Sequence, residues 1–191
     1  MKKILTLTTL LSLSTLFSST TQAADYIIDT QGAHAFVNFK ISHLGFSWVT
    51  GRFNTFDGTF SYDAEKPNEA SIVVNLDTTS FDSNHALRDK HIKDAKYLNV
   101  EKYPTAKFQS TSITDKGNGK LAVKGNLTLH GVTKEIMIDA EKIGEGKDPW
   151  GGYRAGFSGT TSIKLSDYGI KQPGPDSTHA ELELHVEGIR K

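Results

Sequence analysis

Cysteine is absent from the 191 residues. That excludes disulfides, thiolate metal ligands and thiol nucleophiles, so a stable fold must rest on its sheet and core. Charge of one sign is absent too. Lys and Arg number 22, Asp and Glu 22, with no basic run, so the electrostatic footprint of a nucleic-acid binder is missing. The longest apolar stretch is too short for a membrane span. Signatures of catalysis are also wanting. There is no GxSxG elbow, no phosphate loop and no dinucleotide fingerprint, and the seven histidines show neither HxH nor HExxH spacing. No resident metal or cofactor is therefore expected. No internal repeat and no linker of biased composition divides the chain.

What is present begins with a leader. Met1-Lys2-Lys3 is cationic, Ile4 to Phe17 is apolar with interspersed Ser and Thr, and small residues stand at Thr21 and Ala23. This is the three-part pattern of a secretory signal peptide. Cleavage between Ala23 and Ala24 is expected, making residues 1–23 a removed leader and 24–191 a single domain. Without Lys2 and Lys3 the mature chain is slightly acidic. A bacterial periplasm is the expected destination.

After the leader, apolar residues recur at the strand period of two. One face collects Ala35, Val37, Phe39 and Ile41; then Phe56, Gly58, Phe60 and Tyr62; then Ile72, Val74 and Leu76. Further on come Ala106, Phe108, Ser110 and Ser112; Leu121, Val123, Gly125, Leu127 and Leu129; and Ile136, Ile138 and Ala140. Ala155, Phe157, Gly159, Thr161, Ile163 and Leu165 follow, and Ala180, Leu182, Leu184, Val186 and Gly188 close the series. That makes about eight strands, with "DYIID" as an extra. Turn signals separate them at Lys66-Pro67-Asn68, Lys116 to Gly119, His130-Gly131 and Asp148 to Gly152. One dry face per strand and short connections predict an antiparallel meander, as a two-sheet sandwich or a closed barrel. The small inward residues fit two readings. They mark bulges and barrel corners, or they leave space along a barrel axis for one small ligand.

One segment breaks the pattern. "DSNHALRDKHIKDAKYL" spaces Leu87, His91, Ala95 and Leu98 at helical intervals, with Asp82 or Ser83 as N-cap. This predicts a helix of about three turns, with His91 half-buried on its apolar stripe. A second helical turn is expected around His43 to Ser47. Arg88 and Asp89 are candidates to pair with strand-end carbonyls or with a lipid head group. Several of the phenylalanines fall on inward positions. An aromatic-lined cavity suits a long hydrocarbon, because burial contributes about 0.8 kcal/mol per CH₂, or roughly 8 kcal/mol for ten carbons before ordering costs.

The blocks "HAFVNFKISHLGFSWVTGRFNTFDGTFSYD", "NHALRDKHIKDAKYLNVEKYPTAKFQSTS", "GNLTLHGVTK" and "RAGFSGTTSIKLSDYGIK" together resemble the YceI family of secreted bacterial proteins. The resemblance covers essentially the whole mature chain in order. It implies an all-β fold, an extended eight-stranded antiparallel lipocalin-like barrel with one α-helix inserted between strands. It also implies a carrier of polyisoprenoid or similar long-chain lipids. The link of some relatives to cytochrome b561-type membrane proteins implies isoprenoid quinones as one ligand class and such a protein as a partner. Arg88, Asp89, His91, Tyr103 and Pro104 match family motif positions and are expected to shape the helix and the barrel mouth.

The expected ligand is thus a bound polyisoprenoid or quinone-like lipid. Its expected cavity lining is Val37, Phe39, Ile41, Phe60, Val74, Leu76, Phe108, Leu127, Leu129, Phe157, Gly159, Thr161, Ile163, Leu182 and Leu184. No catalytic residues and no nucleic-acid partner are expected. Two other classes stay open at this point: an enzyme using His91, Asp89 or His43 on a bound lipid, and a stress-related interaction module using its outer surface. Monomer and homodimer are not distinguished.

Overall fold

The computed structural model describes residues 23–191, so the expected leader, apart from Ala23, lies outside the described residues. The period-two segments form strands, and eleven strand segments join in one antiparallel sheet. They are β1 (Ala24–Ile28), β2 (Phe36–His43), β3 (Ser47–Phe53), β4 (Phe56–Tyr62), β5 (Ser71–Asp77), β6 (Phe81–Asp82), β7 (Thr105–Gly117), β8 (Lys120–Leu129), β9 (Val132–Lys147), β10 (Tyr153–Lys164) and β11 (His179–Arg190). The one α-helix among the described residues, α1 (Ala86–Lys93), lies between β6 and β7.

Closure turns on β11. Residues Ala180 to His185 of β11 pair with β2, and Gly188 to Arg190 pair with β1. In turn β2 pairs with β3 and β1 with β4, while β3 pairs with β6 and β4 with β5. Three positions in the wall are therefore long strands broken in the middle. The result is a closed antiparallel barrel of eight strands. Closure leaves no edge exposed for pairing with another chain along most of the wall.

Two segments escaped the period-two reading. β3 carries Gly51 at the centre of its inward set and Trp48 on its outer face, and β6 has only two residues. The helical turn expected at His43 to Ser47 is a hairpin turn instead. Leu44 and Gly45 have φ of 55° and 73°, and the Phe46 N–H donates to the His43 carbonyl at 3.0 Å. Both central residues are left-handed, which matches the right-handed twist of the flanking strands. The expected inward face of β7 also changes along its length. A bulge between Ser110 and Ser112 turns Ser112 outward and brings Ile113 into the core.

The helix is shorter than expected, at eight residues. Its cap is neither Asp82 nor Ser83: His85 Nδ1 accepts from the Arg88 N–H at 3.2 Å, while Asp82 Oδ1 accepts from Asn84 N–H. Of the expected stripe, Leu87 is 58% exposed and His91 and Ala95 are exposed. Only Leu98, beyond the helix end, is buried, and Ile92 packs beside it. Two turns are too few to bury a whole stripe, so the contact passes to the irregular chain that follows.

The strand ends define two poles. The β2–β3 hairpin, the His130-Gly131 turn and the loop after β10 mark the upper one. The β7–β8 turn and the Asp148 to Gly152 turn mark the lower one. Phe39, Phe81, Leu129, Ile163, Leu165 and Tyr168 fill the upper core, and Tyr26, Ile28, Phe60, Tyr62 and Ala155 the lower.

Candidate functional site

Between these clusters lies a mostly apolar cavity of about 530 Å³. Every strand segment contributes to its wall. All the residues expected from the sequence to line it do so, from Val37, Phe39 and Ile41 on β2 to Leu182 and Leu184 on β11. The sequence reading missed Val49, Phe81, Ile92, Tyr97 and Ile170, which also line it. Val49 sits on the unforeseen β3, and the other four lie in short or irregular segments without a two-residue period.

The small inward residues do not simply leave space, which corrects the hollow reading. Most of the inward glycines are seats for large neighbours. A Cβ on Gly51 would collide with the Phe39 ring, one on Gly125 would stand 2.5 Å from Phe108 Cζ, and one on Gly188 would stand 2.6 Å from Phe60 Cζ. Gly58 is covered by Ile28. At Gly159 the wall is more open: a Cβ would meet Ile138 Cγ2 at 3.0 Å and little else closely. Thr161 donates its hydroxyl to the Met137 carbonyl at 2.7 Å. That satisfies the hydroxyl within the wall and leaves the methyl as its apolar part.

The exposed lining residues gather mainly at the upper pole: His43 and Leu44 on the hairpin, His91 on α1, and Lys171 and Pro173 on the loop after β10; Ser71 and Lys107 are exposed elsewhere. Ser177 Oγ donates to the Ser42 carbonyl at 2.6 Å and ties that loop to the hairpin. The RDKH motif is a clamp. Arg88 donates from Nε to Ser83 Oγ at 2.6 Å and from Nη2 to the Ser83 carbonyl at 2.5 Å. Asp89 Oδ1 accepts from the Ser83 N–H at 2.9 Å and from its hydroxyl. His91 is exposed at the mouth rather than half-buried. Tyr103 packs edge-on against His130, ring centroids 4.5 Å apart, and its carbonyl accepts from Thr78 Oγ1 at 2.6 Å. The Pro104 carbonyl accepts from Thr78 N–H at 2.9 Å. These motif residues hold the irregular chain of the upper pole onto the barrel.

The lower pole carries an ionic cluster that no local motif announces. Arg154 Nη1 reaches Asp29 Oδ2 and Glu187 Oε1, each at 2.6 Å, and its Nε reaches Asp148 Oδ2 at 2.9 Å. Asp29 also accepts from Gly32 N–H at 2.8 Å and contacts His34 Nδ1 at 3.1 Å. The Arg154 hydrogen bond, with help from Gly32 and His34, holds the Asp29 carboxyl down to about 2. The same three carboxylates raise the Arg154 guanidinium above its usual value. Asp29, His34 and Glu187 converge as metal ligands would, but the cation that the two carboxylates hold is this guanidinium.

A closed barrel with broken strands, an inserted helix and an axial apolar cavity invites comparison with known proteins. The YceI-like domain model matches residues 26–188. The chain belongs to the YceI family. A UPF0312 protein of Shewanella baltica is 57% identical over 192 residues, with both chains covered in full. The Campylobacter jejuni YceI crystal structure is similar at a TM-score of 0.71 and 27% identity, covering 95% of this chain and 99% of that one. A polyisoprenoid binding domain from Saccharophagus degradans, implicated in plant cell wall breakdown, shares the fold at a TM-score of 0.64 and 15% identity, over 89% and 100% of the two chains. The barrel is the fold that this YceI chain shares with those solved structures.

Proposed function

We propose that this YceI protein binds a long-chain isoprenoid, a polyprenyl or quinone-like lipid, inside the barrel and carries it through the bacterial periplasm. The single supporting observation is the apolar cavity of about 530 Å³ along the barrel. It falls within the range of roughly 300–1,000 Å³ typical of small-molecule sites. Its wall is aliphatic and aromatic, so the hydrocarbon would be recognised by burial rather than by hydrogen bonds. Polar groups gather at the upper mouth, where a head group would sit. The Saccharophagus degradans domain of the same fold is described as polyisoprenoid binding. Export follows from the signal-peptide pattern, and Ala24, the first residue after the proposed cleavage, is also the first paired residue of β1, opposite Tyr62. Transport, storage or a stress response involving isoprenoid quinones are the roles such a carrier would serve, with a cytochrome b561-type membrane protein as recipient.

Organic extraction of purified protein followed by mass spectrometry should yield a prenyl lipid. Empty protein that also takes up no prenyl quinone would overturn the reading. Gly159→Phe should place a ring in the more open part of the wall, leaving the fold by circular dichroism but lowering uptake about tenfold or more. Undiminished uptake would show that this wall does not face the ligand.

A further inference from the structure

We propose that the tip of the β2–β3 hairpin docks on a lipid bilayer and seats the cavity mouth against the membrane surface. The inference rests on the carrier reading above and adds a place of exchange to it.

Leu44, Phe46 and Trp48 are 42%, 89% and 52% exposed. Three large apolar side chains within five residues join no core cluster, so folding does not account for them. Leu44 moreover occupies a left-handed backbone conformation, φ 55°. That position suits Gly or Asn, and a leucine there costs conformational energy with little burial in return. Such uncompensated cost points to use at a functional surface. The Lys40 amine stands 4.8 Å above the Trp48 ring while pairing with Glu181 at 2.9 Å. An indole beside an amine is suited to the boundary between head groups and acyl chains.

Position joins this tip to the cavity. His43 and Leu44 line the mouth, and so do Arg88 and His91 of α1 and Lys171 of the loop after β10. The helix also carries Lys90 and Lys93, and its lone acid, Asp89, is turned back onto Ser83. A cationic helix beside an apolar tip complements a surface bearing anionic head groups. Asp176 lies beside Gly45, and a carboxylate there restricts the tip to the interface rather than the hydrocarbon interior. No helix among the described residues is long and apolar enough to cross a membrane, so attachment by this surface is peripheral. A second copy of the chain is a poor occupant, because a single turn offers far less than the roughly 800 Å² per partner of a stable interface.

The lower pole supplies an internal control. Trp150 is 77% exposed, yet Arg154 stands 5.4 Å from its ring and its backbone N–H donates to Asp148 Oδ1 at 3.0 Å. It lines no part of the cavity wall. The chain has two tryptophans, so Trp150→Phe leaves Trp48 as sole reporter and Trp48→Phe leaves Trp150. Each variant is mixed with vesicles of phosphatidylglycerol and phosphatidylethanolamine, and its emission and co-flotation are measured. Trp48 emission should shift to the blue and be quenched by brominated acyl chains, while Trp150 emission stays unchanged. Phe46→Ser, on an exposed site, should reduce co-flotation about tenfold without altering the circular dichroism spectrum. An unmoved Trp48, a shift at Trp150 instead, or a Trp48 shift that follows protein concentration without lipid would overturn the proposal. Vesicle binding needs no cargo, so the two readings fail separately. Uptake of a prenyl quinone from detergent without vesicle binding overturns docking alone, and docking without uptake overturns the carrier alone.

Discussion

The two poles of the barrel invert the ordinary placement of residues. At the lower pole charge is drawn inward: the Asp29 and Asp148 side chains are 6% and 7% exposed, with Arg154 between them. At the upper pole apolar surface is pushed outward, in Leu44, Phe46 and Trp48. Each departure costs free energy, but only the lower one recovers it within the fold. Arg154 joins the bend between β1 and β2, the β9–β10 turn and β11, three pieces that meet where the wall strand is broken. The upper departure recovers little among the described residues beyond the Lys40 amine over the Trp48 ring. One pole is stapled, and the other presents a surface to its surroundings.

That contrast can be broken at several points. The largest effect is expected at the staple. Arg154→Ala leaves the buried Asp29 carboxylate without its cation and should cost about 3 kcal/mol by urea unfolding. Arg154→Lys should recover only part of this, since one ammonium cannot span three carboxylates. A loss no larger than that of a surface substitution would mean the lower pole is held by its aromatic core alone. Next comes the wall between the poles. Gly188→Ala drives a methyl into the Phe60 ring and should cost about 2 kcal/mol, partly restored in the double variant with Phe60→Leu. Additive losses would show that ring and glycine do not share one space.

A comparable effect follows from pH. The Asp29 carboxyl sits at about 2 in the folded chain against its usual 3.8. A depressed value stabilises the fold wherever the carboxyl is ionised in both states. The contribution, about 2 kcal/mol, is therefore complete above about pH 4 and is lost as pH falls through 2. Unfolding midpoints measured across that window should drop in the native chain, and the drop should be smaller by this amount in Asp29→Asn. The smallest effect belongs to the upper pole. Phe46→Ser should change stability by no more than about 0.5 kcal/mol, and a larger loss would place Phe46 in the fold's own packing.

The barrel was legible because its wall has one dry face: every second residue of β8, β10 and β11 is apolar or small, and turn residues punctuate the runs. The cavity lining followed from the same alternation. β3 was not legible, because Gly51 and an exposed Trp48 disrupt its contrast. The helix was overread, since charges at helical spacing look alike whether they flank two turns or three. The meaning of the inward glycines was also hidden. A glycine in a strand reads the same whether it opens space or accepts a ring, and only the register brings Phe39 opposite Gly51. The Arg154–Asp29 pair, 125 residues apart, leaves no trace in local pattern.

The rings lying on glycines carry a consequence for the bore of the barrel. Its inner width at a given height is governed by where a phenyl group rests, not by the backbone, which the hydrogen-bonded ladder holds constant. Enlarging a glycine would tip its ring toward the axis and narrow the channel, and shortening the phenylalanine would widen it. Residues such as Phe108 and Gly125 thus form an adjustable lining inside a rigid pipe, through which a barrel of this shape could be fitted to chains of different girth.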